Sequence, residues 1–261
     1  PYMFSTAVNT HKTGVPTMRA MVLEFPDDIP CEDLDRQYML GDSLMVAPVF
    51  TKEGDVTYYL PEGKWTHLLS NEKREGGHWL RENYDFFSLP LFARENSIVA
   101  IGANNQQPDY DYGKDLTLHV FELSDKASAK VCDSKGNDML SVSAVNENGV
   151  ITFKFDGKAE NLSVLLRNVE NVKNVSGAEV EQRNEPGERN VVVLGKSLHK
   201  LEPYTASAEM LEWEWIVRTL RIEYGHSRWH HIVRNVMVAD DEVYSQTLGI
   251  FYLLNSLDSA V

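Results

Sequence analysis

Hydrophobic positions in the first fourteen residues, Tyr2, Phe4, Ala7 and Val8, fall at helical spacing and stop at Gly14, a helix terminator. The pattern predicts the tail of a helix over residues 2–13, and its start at Pro1 suggests a piece of a longer protein. VPTMRAMVLEF, residues 15–25, is apolar without alternation, which is how a strand covered on both faces reads. DLDRQYML, residues 33–40, sets Leu34, Tyr38 and Met39 at helical spacing ahead of Gly41 and predicts a short helix.

From Asp42 the texture changes to short β-rich runs: SLMVAPVF, DVTYYLPEGKWTHLL, FFSLPLFA and NSIVAIG, separated by Lys52-Glu53-Gly54, Pro61-Glu62-Gly63 and Gly76-Gly77. A second series begins near Tyr112 with LTLHVFEL, AKVCD, MLSVSAV, VITFKF, LSVLLRNV and NVVVLG. Lys135-Gly136-Asn137, Asn148-Gly149 and Asp156-Gly157 supply its turns. That spacing of strands predicts a β-sandwich. Beyond residue 200, Met210, Trp213, Val217, Leu220 and Tyr224 recur at three and four, as do Tyr244, Leu248, Phe251, Leu254 and Leu257, predicting an amphipathic helical tail.

Charge narrows the partners. With 39 acidic and 25 basic side chains the chain carries a formal −14 and would be repelled by nucleic acid and by anionic membranes. No apolar run reaches transmembrane length, so a chain acting away from the membrane is expected. Cys31 and Cys132 are the two cysteines, about a hundred residues apart. They form neither a disulfide framework nor a metal-ligand spacing, which suits a reducing cytoplasm.

Candidate chemistry is sparse. Asp27 and Asp28 are adjacent carboxylates, but glycoside hydrolysis needs its two carboxyl groups about 5 Å or more apart on opposite sides of a bond. Neighbours flanked by Pro26 and Pro30 read better as a turn. His226 and His230 have the spacing of a helical metal pair, yet Ser227 stands where a metalloprotease has glutamate. Gly195-Lys196-Ser197 lacks the upstream glycine of a phosphate loop. The sequons at Asn161 and Asn174 carry little weight with no export signal in view. Trp65, Trp79, Tyr84, Phe86 and Phe87 crowd the first β-module, where filling its core is favoured over an exposed sugar-stacking platform.

The succession GVPTMRAMVLEFPDD, DLDRQYMLGDSLMVAPVF and DVTYYLPEGKWTHL resembles the C-terminal part of glycoside hydrolase family 31, and SLPLFARENSIVAIGANNQQPDY is similar to its α-xylosidases. The resemblance implies a specific placement. Residues 1–42 would be the end of a (β/α)8 barrel, with 2–13 its seventh helix, 15–25 its eighth strand and 33–40 its eighth helix. Residues 43–107 would be a proximal β-sandwich and 108–200 a distal one, leaving 201–261 as a helical tail of unknown role. The fold expected is therefore mainly β: two consecutive antiparallel β-sandwich domains preceded by the last β/α unit of a barrel.

The family's retaining mechanism uses two aspartates that no position here matches. The resemblance thus implies no catalytic residue, cofactor or metal ligand in this chain. It implies a parent enzyme that hydrolyses α-xylosidic or α-glucosidic bonds in oligosaccharides, with this chain as structural support. A non-catalytic carbohydrate-binding or interaction module is the alternative, and a homo-oligomer is compatible with either.

Overall fold

The computed structural model describes residues 1–176, 178–182, 190–194 and 204–210. Helix α1 (Tyr2–Thr13) ends on Gly14, whose left-handed backbone lets its N–H reach the Thr10 carbonyl at 2.8 Å. Strand β1 (Met18–Ala20) runs directly into a one-turn helix α2 (Met21–Glu24), and a 3-10 turn spans Ile29–Cys31. The first β series comprises β2 (Tyr38–Leu40), β3 (Leu44–Val46), β4 (Asp55–Leu60), β5 (Lys64–His67), β6 (Lys73–Glu75), β7 (His78–Asn83), β8 (Leu91–Arg94) and β9 (Ser97–Ile101). The second comprises β10 (Thr117–Phe121), β11 (Lys126–Cys132), β12 (Asp138–Glu147), β13 (Val150–Gly157), β14 (Leu162–Leu166), β15 (Val169–Val175), β16 (Glu179–Gln182), β17 (Asn190–Leu194) and β18 (Tyr204–Met210).

These strands stack in four layers. The hairpin β4–β7 covers a six-stranded sheet ordered β1-β2-β3-β8-β5-β6. That sheet covers a five-stranded one ordered β16-β17-β14-β10-β9, and a second five-stranded sheet, β11-β12-β13-β18-β15, closes the stack. Side-chain parity shows how three cores fit between four layers, because successive residues of a strand point to opposite faces. In β3, Leu44 and Val46 enter the core shared with the next sheet, while Met45 enters the core under the hairpin. In β9, Val99 and Ile101 face the six-stranded sheet, and Ile98 and Ala100 face the outermost one. Strands β2, β3, β8 and β9 are therefore covered on both sides and read as largely apolar runs.

The outer sheet behaves differently. Along β12, Leu140, Val142 and Ala144 are buried while Ser141, Ser143 and Val145 are only partly covered. Its hairpin to β13 closes over two residues, Asn148 and Gly149, both with positive φ, which is the turn that Asn-Gly predicts.

Four expectations are corrected. Residues 33–40 contain no helix: Tyr38–Leu40 is a strand, with Tyr38 and Leu40 in one core and Met39 in another. Eight residues with apolar positions covered on both sides satisfy helical and strand spacing alike, and pairing with β3 decides between them. The run 15–25 is not one strand; it divides into β1 and α2, and β1 pairs antiparallel with β2 at the edge of the six-stranded sheet. The sheets are not wholly antiparallel, since β10 and β14 are parallel neighbours. Residues 204–210, placed at sequence level in a helical tail, form β18 between β13 and β15. The rest of that tail, residues 201–203 and 211–261, lies outside the described residues, with His226, His230, the second expected helix and all of the first beyond Met210.

The loop joining β9 to β10, residues 102–116, contains the expected domain boundary at 107, yet it connects neighbours in one sheet. The chain passes from the six-stranded sheet to the next through Glu95 and Asn96 alone. Gly41 shows how closely the N-terminal helix is fitted to this framework. Its φ is +69°, and a Cβ there would sit 2.3 Å from the Tyr2 hydroxyl, which donates to the Leu40 carbonyl at 2.7 Å.

Candidate functional site

Asp27 and Asp28 follow α2 in a β-turn in which the Asp28 N–H reaches the Phe25 carbonyl and Pro26 supplies the fixed φ of the second position. Asp27 is exposed and Asp28 half-buried. The Asp28 carbonyl accepts from the Cys31 N–H at 2.8 Å, and its side chain accepts from the Tyr59 hydroxyl at 3.1 Å. Burial, the Asp28 charge and a hydrogen bond to it together push the Cys31 thiol up to about 12. Burial and then the bond to Asp28 push the Tyr59 phenol up to about 12 as well. Both neighbours of Asp28 thus stay protonated at neutral pH, and neither is a base or nucleophile. The turn reading of the two aspartates agrees with this geometry.

Tyr59 is tied into the layer above it: Gln37 takes its N–H and donates to its carbonyl, at 2.8 and 2.7 Å. Across the hairpin Tyr59 faces Trp79, with ring centroids 5.5 Å apart. The aromatic cluster of the first module is split. Trp65 is buried and donates its indole N–H to the Pro61 carbonyl at 2.8 Å, and Tyr84 packs against the same core, as a core filler should. Trp79 is 54% exposed, Phe86 67% and Phe87 40%, so the core-filling expectation fails for these three. For Trp79 the cause is layer count, since β7 has the hairpin partner β4 and an outer face on which none of the described strands packs, while Phe86 and Phe87 lie in the turn between β7 and β8.

Other titratable groups are structural. His67 is buried, with its Nδ1 accepting from the Ser70 N–H at 3.0 Å, which leaves Nε2 to donate to the Leu89 carbonyl at 2.9 Å. Burial drives its pKa down to about 4, so it is neutral and engaged on both nitrogens. Glu82 accepts from Tyr58 and Tyr84, both at 2.6 Å, and from Arg74 at 3.4 Å. Burial alone would raise its carboxyl; those donors outweigh it and hold the group below its ordinary value. A cleft of about 410 Å³ lies between α1 and strands β9 and β11, but the charges on its wall answer one another, as where Asp138 sits between Lys12 and Lys130. Among the described residues no group of three or more His, Cys, Asp or Glu could hold a metal ion, and no helix is long and apolar enough to cross a membrane.

Sequence comparison gives this framework its relatives. Residues 14–99 match the model of the glycosyl hydrolase family 31 C-terminal domain, and residues 111–197 that of the C-terminal domain of α-xylosidase YicI. The chain belongs to glycoside hydrolase family 31. α-Xylosidase XylQ of Lactiplantibacillus pentosus is 36% identical over 162 residues, covering 60% of this chain and 21% of its own length. An α-xylosidase of Emericella nidulans is 41% identical over 172 residues, covering 60% of this chain and 22% of its own. The chain thus spans about a fifth of the length of these two relatives.

Solved structures share its fold. The Flavobacterium johnsoniae family 31 dextranase complexed with isomaltotriose aligns with a TM-score of 0.66 at 19% identity, over 80% of this chain and 31% of its own. The cycloalternan-forming enzyme of Listeria monocytogenes in complex with a pentasaccharide gives 0.65 at 20%, over 80% of this chain and 22% of its own. The relationship to glycosidases is therefore shown for the β-region of family 31.

No sequence motif marks the buried polar group around Arg167. Its one visible signal is an arginine closing the apolar run LSVLL, where a solvent-facing end would be the ordinary expectation.

Proposed function

We propose that this chain is the C-terminal β-region of a retaining α-glycosidase acting on α-xylosidic or α-glucosidic bonds, and that it supports a catalytic barrel supplied by sequence outside it. The observation that carries this reading is the identity of 36% and 41% to two α-xylosidases, which favours xylosides over glucosides. The support role draws on the surface around β1. Val15, Met18, Val22 and Leu23 are exposed beside the buried Met21, an apolar patch that a catalytic domain would cover. In this reading residues 1–42 belong to the seam with the barrel, the substrate is an oligosaccharide bound by the parent enzyme, and the enzyme works in the cytoplasm.

The test compares the chain alone with the same chain joined to the upstream part of its parent, using aryl α-xyloside and aryl α-glucoside. Turnover is expected only in the joined protein and faster on xyloside. The chain alone should associate through the β1 patch in sedimentation, and Leu23→Glu should reduce that association. Turnover by the isolated chain that disappears in Asp28→Asn would overturn the reading.

The exposed indole of Trp79 favours a second role, a non-catalytic sugar-binding face. Xylo- or gluco-oligosaccharides should then quench fluorescence at millimolar concentration in the native chain and not in Trp79→Ala. An equal response in both would remove this role.

A further inference from the structure

The interface between the six-stranded sheet and the sheet beneath it is not purely apolar. At one end Arg167, 1% exposed, leaves the end of β14 and crosses into the other sheet's territory. Its Nε donates to the Asn71 side-chain oxygen at 2.8 Å and its Nη2 to the Leu68 carbonyl at 2.9 Å, both in the loop between β5 and β6. Its Nη1 lies 3.2 Å from Nδ1 of His119 on β10; a guanidinium cannot accept, so that nitrogen is the acceptor. The guanidinium also lies 5.2 Å from the ring centre of Phe121.

A second line of bonds runs alongside. Asn71 donates to Asn168, Asn168 to Glu122 at 3.4 Å, and Glu122 pairs with Lys73 of β6 at 3.1 Å. Asn71, Glu122 and Asn168 all have positive φ, at 62°, 39° and 60°, and such backbones persist where their surroundings hold them. Three residues in this conformation, from loops at the ends of strands in both sheets, meet at one buried point.

We propose that Arg167 is a pin between the two sandwiches, so that the segments matching two separate family models unfold as one cooperative unit. Apolar layers alone tolerate sliding, whereas a fork with a fixed geometry on three partners admits one register. The shared apolar core and the two-residue passage at Glu95 and Asn96 bring the sheets together; Arg167 fixes how they sit.

The full chain carries its own reporters, since Cys31 is buried in the core under the hairpin and Cys132 in the outermost sheet. Unfolding of the native chain is expected to give one calorimetric transition, with both thiols becoming reactive at the same denaturant concentration. Arg167→Met should split the transition and make the two labelling rates diverge by about ten-fold or more at intermediate denaturant. Asn71→Gly, which keeps the backbone conformation but removes the acceptor, should give a smaller divergence, and serves as the test if Arg167→Met does not fold. Val142→Ala, within a single core, should lower the melting temperature and leave one transition. Two transitions in the native chain, or thiols that stay synchronous in both joint variants, would overturn the proposal.

Discussion

The short strands at the middle of the stack and the longer strands of the outermost sheet use their residues in opposite ways. In β3, β8 and β9 every position is buried or nearly so, and consecutive residues serve different cores. In β12 and β13 one face holds Leu140, Val142, Phe153 and Phe155 while the other meets solvent. A strand covered on both faces therefore has no position at which a polar side chain is free of cost. An outer strand has one at every second residue.

The sharpest way to break the comparison is a charge at matched depth in the chain. Val99→Asp on β9 should destabilise by more than ~4 kcal/mol and leave the protein unfolded by circular dichroism, because a carboxylate there has apolar layers on both sides. Next comes Leu44→Ala, expected to cost about 2–5 kcal/mol in denaturant unfolding, since the surrounding layers cannot collapse onto the cavity. A cost below ~1 kcal/mol would show the inner sheet to be more yielding than its burial implies.

His67 extends the contrast to pH. Its ring takes a proton near 6.5 when unfolded and near 4 when folded, so the unfolded chain binds more protons between those values. Stability present above pH 6.5 should fall as pH drops towards 4, by about 3 kcal/mol from this residue. Comparing stability at pH 7 and pH 4.5 in the native chain and in His67→Gln checks it: the variant should lose less on acidification. The smallest effect belongs to the outer face, where Ser143→Asp on β12 should shift stability by no more than about 0.5 kcal/mol.

The same contrast explains what could be read from the sequence. The outer hairpin was readable because alternation and Asn148-Gly149 are local signals, and β4, β5 and β8 to β14 announced themselves by β-rich runs between turns. Tyr38–Leu40 was misread because the doubly covered strand erases its own period. Strands β6 and β7 were missed for the reverse reason: KRE and HWLREN carry little apolar surface and are held by pairing with β5 and β4. The turn at Asp27 and Asp28 was readable from the flanking prolines, whereas Arg167 could not be found, because its three partners lie between about 48 and 99 residues away in sequence.

Strand β18 has a consequence for how the protein is made. It separates β13 from β15 in the outermost sheet, and among the described residues β15 has no other partner strand there. On the ribosome, β15 emerges roughly thirty residues before β18, a wait of a few seconds at ordinary elongation rates. During that interval the edge of β13 is open to any passing strand, so nascent chains halted between residues 175 and 204 are where a chaperone would be needed most.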